Sequence, residues 1–308
     1  TPLGTLRRAG MVPKGLNAKA LRDGQRIVLI APEGMKDFFP EVIKANLERS
    51  NLQASVEVYP FSIDKFEPWH AIGKPVTDLD YAKYWRSDAG AAVIEDLLKM
   101  INESQRVVGS ENVVLVFPGL AAEFSTSLQD ILSKALVPVI GMTAFPPTAS
   151  GQILYEVLKQ KFRELGGELL VGSGVKQVKL QGKLCQKVIV QSKGRASEFS
   201  ARSFVLATGG IFGGGINVTP KIKQETVLGL PLFIPSKWTR SEFLGEQPYA
   251  RMGIEVDCEL RPIKSQNQEV ILENVRVVGR MLAHWDPWVE HCGGGVSLAS
   301  GWFAGEKM

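Results

Sequence analysis

Cysteine is scarce in this chain of 308 residues, and the three that occur lie far apart: Cys185, Cys258 and Cys292. None belongs to a C-x-x-C pair, which excludes a disulfide scaffold and a cysteine-based zinc or iron–sulfur site within the chain. Histidine is equally rare, and a shared metal site would need His70 to meet His284 and His291. We therefore predict no metal site.

Long apolar runs and one-sided charge are also missing. No run of 18 apolar residues occurs, so we predict no membrane-spanning segment, and the basic first thirty residues lack the apolar region of a signal peptide. The 36 Lys and Arg against 32 Asp and Glu give a net charge of +4, spread along the chain. This even distribution argues against nucleic-acid binding as the main function.

The patterns that are present predict an α/β fold. Residues 1–24 are turn-rich and basic and suggest a connecting arm. From 25 to 147, short apolar strands alternate with helical patterns, one of which covers 80–102 and is broken near Gly90, as expected for a parallel α/β domain. After a helix at 151–165, short strand patterns predict a β-meander: 168–171, 176–180, 187–191 and 198–201.

Standard catalytic motifs such as the P-loop, H-E-x-x-H, G-x-S-x-G and G-x-G-x-x-G are absent. One feature that could carry chemistry is an apolar strand at 203–207 that runs into Thr208, Gly209 and Gly210. Glycines at the carboxyl end of a parallel strand let the backbone approach a ligand closely. The alternative is a tight turn without a ligand.

A second feature is a strand at 274–278 that ends at Gly279 and is followed, after a loop, by Gly293-Gly294-Gly295 at the start of a helix. Such a helix start presents backbone N–H groups and the positive end of the helix dipole. It can hold a phosphate or the negative charge that develops on a reduced flavin. The alternative is a flexible hinge before an ordinary packing helix.

These features and several longer strings together resemble a known family, the B subunit of anaerobic glycerol-3-phosphate dehydrogenase. That family consists of flavoproteins of the glutathione-reductase type. The strings that carry the resemblance are T-P-L-G-T-L-R at 1–7, F-P-P-T-A-S-G at 145–151, V-L-A-T-G-G at 205–210, D-P at 286–287 and C-G-G-G-V at 292–296.

The resemblance implies an incomplete flavin-binding fold, a parallel sheet plus β-meander, that carries a parallel α/β insert. The expected division is an arm at 1–24 next to the flavin site, an insert (cap or docking) domain at 25–147, and the remainder of the flavin-binding domain at 148–308. The family begins with a dinucleotide-binding unit that this sequence lacks. We therefore expect either an N-terminally incomplete piece, inactive by itself, or impaired flavin binding, and we favour incompleteness.

The resemblance further implies a flavin-dependent electron-transfer subunit of a respiratory complex that oxidises sn-glycerol 3-phosphate to dihydroxyacetone phosphate and passes electrons to quinone. The family suggests FMN as cofactor, with FAD as the alternative. The partners would be a catalytic A subunit and an iron–sulfur C subunit that attaches the complex to the inner face of the cell membrane. Two alternatives are a flavin oxidoreductase for another hydroxy or amino substrate, and a non-catalytic scaffold subunit.

The residues expected to bind the cofactor follow from the matching strings: Thr208, Gly209, Gly210, Gly279, Arg280, Asp286, Gly293, Gly294, Gly295 and Val296. Arg280 departs from the Gly-Asp pair that related flavoproteins often have, so ribityl recognition there is in doubt. It could pair with a phosphate instead, or be a surface arginine.

The loop between the two late motifs holds the remaining candidates. Asp286-Pro287, flanked by tryptophans, would cover the flavin ring or only pack. His284 and His291 are candidate general acids or bases for an alcohol proton. Cys292 is either a small space-filling residue or a redox-active thiol, since a helix N-terminus lowers a thiol pKa.

Overall fold

A computed structural model describes residues 1–7, 9–10, 12–16, 21–61, 76–103, 112–120, 126–192, 194–242 and 244–308. His70 therefore lies outside the described residues. The chain forms two compact units, Thr1–Glu168 and Leu169–Met308. Parallel and antiparallel sheets occur together with helices, which confirms the α/β fold class. The arm and the helix near 151–165 belong to the first unit, while the three-part division into arm, insert and flavin-binding remainder stays a prediction.

The first unit contains a parallel sheet with strand order β2–β1–β3–β4. Its strands are β1 (Arg26–Pro32), β2 (Ser55–Phe61), β3 (Val113–Pro118) and β4 (Val139–Met142). Every residue of β3 is buried. Val28 and Ile30 of β1 pack into one hydrophobic cluster, whereas Ile27 and Leu29 pack into another. Because both faces of these strands are covered, their sequences are continuously apolar instead of alternating.

Five α-helices are described in the first unit: α1 (Pro40–Glu48), α2 (Asp78–Trp85), α3 (Asp88–Glu103), α4 (Thr126–Ser133) and α5 (Ala149–Glu164). A short 3₁₀ turn covers Lys14–Leu16. The break predicted near Gly90 is present but lies at 86–87, so that Gly90 falls in the first turn of α3. A Cβ on Gly90 would collide with the carbonyl group of Tyr84. Gly90 therefore allows α2 and α3 to approach closely and does not interrupt a helix.

The arm packs against α1 in the first unit. The side-chain amide of Asn46 donates to the carbonyl of Leu3 at 2.7 Å. Gly4 has φ +81°, and a Cβ there would lie 2.6 Å from the carbonyl oxygen of Ile43. Only glycine fits this close, left-handed turn.

The second unit begins with an antiparallel sheet of order β5–β6–β7. Its strands are β5 (Gly174–Gln181), β6 (Leu184–Ser192) and β7 (Arg195–Ser200), which confirms the predicted β-meander. The additional strand expected at 168–171 is wrong. Leu169, Leu170 and Val171 are exposed and irregular, because no strand of the described chain pairs with them.

A parallel strand pair follows, formed by β8 (Phe204–Leu206) and β11 (Val275–Val277). The Asn274 side chain ties this pair to the meander: its amide donates to the carbonyls of Cys185 at 2.8 Å and Arg202 at 3.1 Å. Its oxygen accepts the N–H of Cys185 at 2.8 Å. One asparagine thus fixes the amino end of the pair.

The remaining elements of the second unit are short except for its last helix. They are α6 (Gly210–Gly213), β9 (Ile216–Val218), β10 (Lys223–Glu225), 3₁₀ turns at Pro248–Arg251 and Gly279–Met281, α7 (Pro287–Glu290) and α8 (Gly293–Glu306). Leu206, Ile254, Val277 and Met281 form part of one buried cluster. None of the helices in the described ranges has the length and hydropathy needed to cross a membrane.

Candidate flavin site

Two glycine turns follow the carboxyl ends of β8 and β11. Gly209, Gly210 and Gly279 have φ values of +89°, +66° and +60°, a region that favours glycine. The N–H of Gly210 donates to the sulfur of Met281 at 3.1 Å, and a Cβ on Gly210 would lie 2.7 Å from the carbonyl oxygen of Arg280. The turns therefore touch at the edge of the strand pair where α/β sheets bind ligands.

Helix α8 is held against the second turn by a buried serine. The N–H of Gly279 donates to the Ser300 hydroxyl at 2.9 Å, and that hydroxyl donates to the carbonyl of Val296 at 2.6 Å. Ser300 thus provides the hydrogen-bond acceptor for the N–H of Gly279, whose backbone is left-handed. The structure thus brings both glycine turns and α8 into one cluster.

The first turn of α8 faces open space. A Cβ added to Gly294 or Gly295 would meet no atom within 4 Å. The N–H of Val296 already donates to the carbonyl of Cys292 at 2.9 Å. A helix leaves its earlier N–H groups without intrahelical acceptors, so the amides of Gly293, Gly294 and Gly295 are the donors that this end can offer.

Arg280 lies beside Trp285, with its guanidinium carbon 4.8 Å from the ring centroid. The arginine is half-buried. Burial lowers the pKa of Arg280 below its ordinary value, and the negative charge of Asp286 opposes that shift. The Trp285 indole N–H is buried and has no hydrogen-bond partner in the described chain.

Asp286 has a well-defined local role. It is 2% exposed, and its carboxylate accepts the N–H groups of Trp288 at 2.9 Å and Val289 at 3.3 Å. Its own N–H donates to the carboxylate of Glu290 at 2.8 Å. These bonds cap the start of α7, as aspartate commonly does, so Asp286 shapes the loop that precedes α8.

Cys292 lies at the N-cap of α8, where its thiol contacts the carboxylate of Glu290 at 3.7 Å. Partial burial and the negative charge of Glu290 raise the pKa of the Cys292 thiol above its ordinary value. A raised pKa disfavours the reactive thiolate. This supports the interpretation of Cys292 as a small structural residue.

His284 is held by a carboxylate and an aromatic ring. Its Nε2 lies 2.7 Å from Oε1 of Glu255, and its ring centroid lies 4.0 Å from that of Phe233. Hydrogen bonds from Ser265 and His284 hold the pKa of Glu255 below its ordinary range, against the opposing effect of burial. His284 has φ +72°, which is uncommon outside glycine and often marks a functional position.

His291 ends α7 in a left-handed conformation with φ +53° and is exposed. Its N–H donates to the carbonyl of Pro287 at 3.1 Å. The structure therefore places His291 directly before α8, and His284 on the chain that leads away from the second glycine turn.

The cluster fits a flavin in its donors and its open space. The Thr208 hydroxyl oxygen is buried and finds no hydrogen-bond partner in the described chain, although it stands next to the first glycine turn. Open space lies in front of Gly294 and Gly295. A polar edge with unused donors beside an open glycine surface is suited to the ribityl and pyrimidine groups of a flavin.

Comparison with protein families gives the class of protein. The model of the FAD binding domain family matches residues 1–296. The chain therefore belongs to the FAD binding domain family, and the match confirms the predictions of a flavin-binding fold and a flavin as cofactor. Both glycine turns and the first residues of α8 lie within the matched range.

Comparison with individual proteins then gives the relatives of the chain. The chain is 25% identical over 318 aligned residues to the B subunit of anaerobic glycerol-3-phosphate dehydrogenase from Yersinia enterocolitica serotype O:8, covering 100% of this chain and 71% of the relative. It is 27% identical over 317 residues to the protein of the same name from Vibrio cholerae serotype O1, covering 70% of that protein. The resemblance inferred from the sequence strings is confirmed. No solved structure gives a significant match.

Several residues at the site were not predicted. Ser300 and Met281 connect the motifs, and Glu255 and Phe233 hold His284. Phe212 of α6 packs edge-to-face on Trp288 of α7, at a centroid distance of 5.8 Å. These roles depend on contacts between distant segments, and the sequence offers no motif that would have identified them.

Proposed function

We propose that the protein is the flavin-dependent electron-transfer subunit of a respiratory glycerol-3-phosphate dehydrogenase complex. The observation that carries the proposal is the contact between two glycine turns and an open helix start, in a chain whose relatives bear that enzyme's name. Such a complex would oxidise sn-glycerol 3-phosphate to dihydroxyacetone phosphate and deliver electrons to quinone. A bound flavin would supply the hydride- and electron-accepting chemistry.

The residues of this chain would bind and orient the cofactor. The amides of Gly294 and Gly295 would donate to the flavin pyrimidine, where the positive end of the α8 dipole also stabilises negative charge. Thr208 and the turns at Gly209–Gly210 and Gly279 would line its polar side. Asp286 would act by fixing the loop that leads into α8.

The complex would contain two partner subunits with separate functions. We propose a catalytic A subunit that oxidises the substrate and an iron–sulfur C subunit that attaches the assembly to the inner face of the cell membrane. In the chain itself, residues 25–147 would form the insert domain, next to an arm at 1–24 and a flavin-binding remainder at 148–308. The relatives are themselves named as one subunit of an enzyme, which supports a multi-subunit assembly.

The first test is to titrate the purified full-length protein with FMN and FAD and to follow flavin absorption and fluorescence. We expect saturable binding. Mixed with the partner subunits under anaerobic conditions, glycerol 3-phosphate should then bleach the flavin bound to this chain, and added quinone should restore its colour. A chain that binds flavin without being reduced would support a scaffold. Reduction by other hydroxy or amino compounds only would point to a different substrate.

For the alternative in which this chain itself oxidises a hydroxy substrate, we propose His284 and His291 as candidate groups for moving the alcohol proton, with His284 the better oriented. The Glu255 carboxylate lies 2.7 Å from Nε2 and orients the imidazole, and Nδ1 takes no part in that contact. Substitution His284→Asn should lower turnover of the assembled complex, because asparagine tolerates positive φ but is not a base. It should leave flavin binding unchanged. Equal turnover of the His284→Asn variant and the wild type would remove His284 from the mechanism.

A further inference from the structure

Arg280 carries a charge at the candidate site that no close counter-charge of the described chain compensates. The side chain is half-buried, and within the described chain no carboxylate forms an ion pair with it inside 4.0 Å, although Asp286 acts on it at longer range. Removing a guanidinium from water without a close counter-charge costs free energy. A bound anion would offset that cost.

The neighbouring acid is already engaged. Oδ1 of Asp286 accepts the first N–H groups of α7 from Trp288 and Val289, and in the described chain the carboxylate forms no ion pair with Arg280 within 4.0 Å. Trp285 lies 4.8 Å from the guanidinium carbon and restrains the arginine through a cation–π contact. An aromatic ring supplies no lone-pair acceptor in such a contact, so the guanidinium still needs an acceptor for its N–H groups.

The position of Arg280 indicates which anion it can reach. It directly follows Gly279 in the second glycine turn, and its carbonyl lies against Gly210 of the first turn. The side chain therefore starts at the ligand-binding edge of the β8–β11 pair. A guanidinium matches the geometry of phosphate oxygens and can contact two of them at once.

We propose that Arg280 binds a phosphate monoester, that of FMN or that of glycerol 3-phosphate. The inference rests on the proposed function, because both ligands follow from it. A terminal phosphate dianion presents more charge to a single guanidinium than the diphosphate linkage of FAD presents at either phosphorus. If the cofactor is the source, Arg280 selects FMN over riboflavin and FAD.

The test compares binding of riboflavin, FMN and FAD to four proteins by flavin fluorescence. They are the wild type, Arg280→Gln, Arg280→Lys and the control Arg202→Gln. Arg202 is exposed and precedes the amino end of β8, at the opposite end of the strand pair from Arg280. Circular dichroism of each variant checks its folding.

If FMN is the ligand, the wild type binds it at least about tenfold more tightly than riboflavin, the size of one charge-assisted contact. Arg280→Gln loses that preference while its riboflavin affinity stays the same. Arg280→Lys retains part of the preference, and Arg202→Gln retains all of it. If glycerol 3-phosphate is the source of the phosphate, the wild type binds FMN and riboflavin equally tightly. Glycerol 3-phosphate then raises the melting temperature of the wild type but not that of Arg280→Gln, and glycerol raises neither.

Two outcomes would overturn the inference, and they differ in what else they affect. If flavin binds but no phosphate-bearing ligand distinguishes the wild type from Arg280→Gln, Arg280 is not a phosphate site and the proposed function stands. If no flavin binds to the full-length wild type, and glycerol 3-phosphate has no effect either, the proposed function fails together with the inference.

Discussion

At the scale of single residues, the glycines of the site have two distinct tasks. Gly210 is required by the fold: its φ is +66°, and a Cβ would press on the carbonyl oxygen of Arg280 at 2.7 Å. Gly294 lies in the first turn of α8 with no atom within 4 Å of a Cβ position. Because Gly294 has no side chain, the space outside the helix stays open at the place where we expect the ligand.

This difference predicts opposite effects for two alanine substitutions. Gly210→Ala should destabilise the protein by about 1–3 kcal/mol, the cost of a strained non-glycine conformation, with the steric contact adding to it. Gly294→Ala should leave the stability unchanged or raise it by up to about 1 kcal/mol, since alanine favours a helix. It should nevertheless weaken flavin binding, because its methyl group occupies the open space.

Chemical denaturation gives the stability of both variants, and flavin titration gives their affinity. Unchanged flavin affinity in Gly294→Ala would show that the cofactor does not approach the start of α8. Unchanged stability in Gly210→Ala would mean that the two glycine turns do not pack as tightly as the structure describes.

At the scale of elements, the sequence predicts strands best where burial is complete. β1 and β3 are covered on both faces, so their apolar runs could be recognised without any knowledge of partners. Gly90 shows the limit of such patterns. It lies in the first turn of α3, where the absence of a side chain leaves room for the end of α2. From sequence alone, a glycine that permits close packing looks the same as one that breaks a helix.

The candidate site was predictable only in its glycine motifs. Gly209, Gly210 and Gly279 follow recognisable strands, whereas Ser300 and Glu255 act across long sequence separations. Ser300 looks like any helical serine until its hydroxyl is seen to bind the buried N–H of Gly279. Glu255 lies in a region of isolated bridges and three-residue strands, where no periodic pattern could develop.

At the scale of the whole molecule, the two units differ in how their carboxyl groups respond to acid. In the second unit, two glutamates, one exposed and one partly exposed, each bridge a pair of lysines: Glu198 with Lys179 and Lys187, and Glu269 with Lys183 and Lys264. The lysine hydrogen bonds hold the pKa of Glu198 below its ordinary range and lower that of Glu269 from 4.5 to about 2. Glu198 joins all three strands of the meander.

The first unit contains a carboxyl group with the opposite behaviour. Asp78 is 6% exposed and accepts the N–H of Ala149 at 2.8 Å, at the start of α5. Burial raises the pKa of Asp78 above its ordinary 3.8, against the backbone hydrogen bonds from Ala149 and Gly119. The folded state therefore binds this proton more readily than the unfolded chain, and acidification relieves a cost at Asp78.

We expect acid to loosen the second unit before the first. Stability from Glu269 is fully present above its unfolded pKa of 4.5 and is lost as the pH falls toward about 2. Hydrogen exchange read by mass spectrometry between about pH 7 and about pH 3, corrected for intrinsic rates, should show peptides from β6 and β7 losing protection before those from β1 and β3.

Glu269→Gln should reduce this acid dependence near Lys264, because its side chain no longer titrates. The control is Glu246→Gln, at an exposed glutamate without an ion pair in the described chain. This substitution should not reduce the acid dependence. Simultaneous loss in both units would show that these lysine-bridged carboxylates do not set the order of acid unfolding.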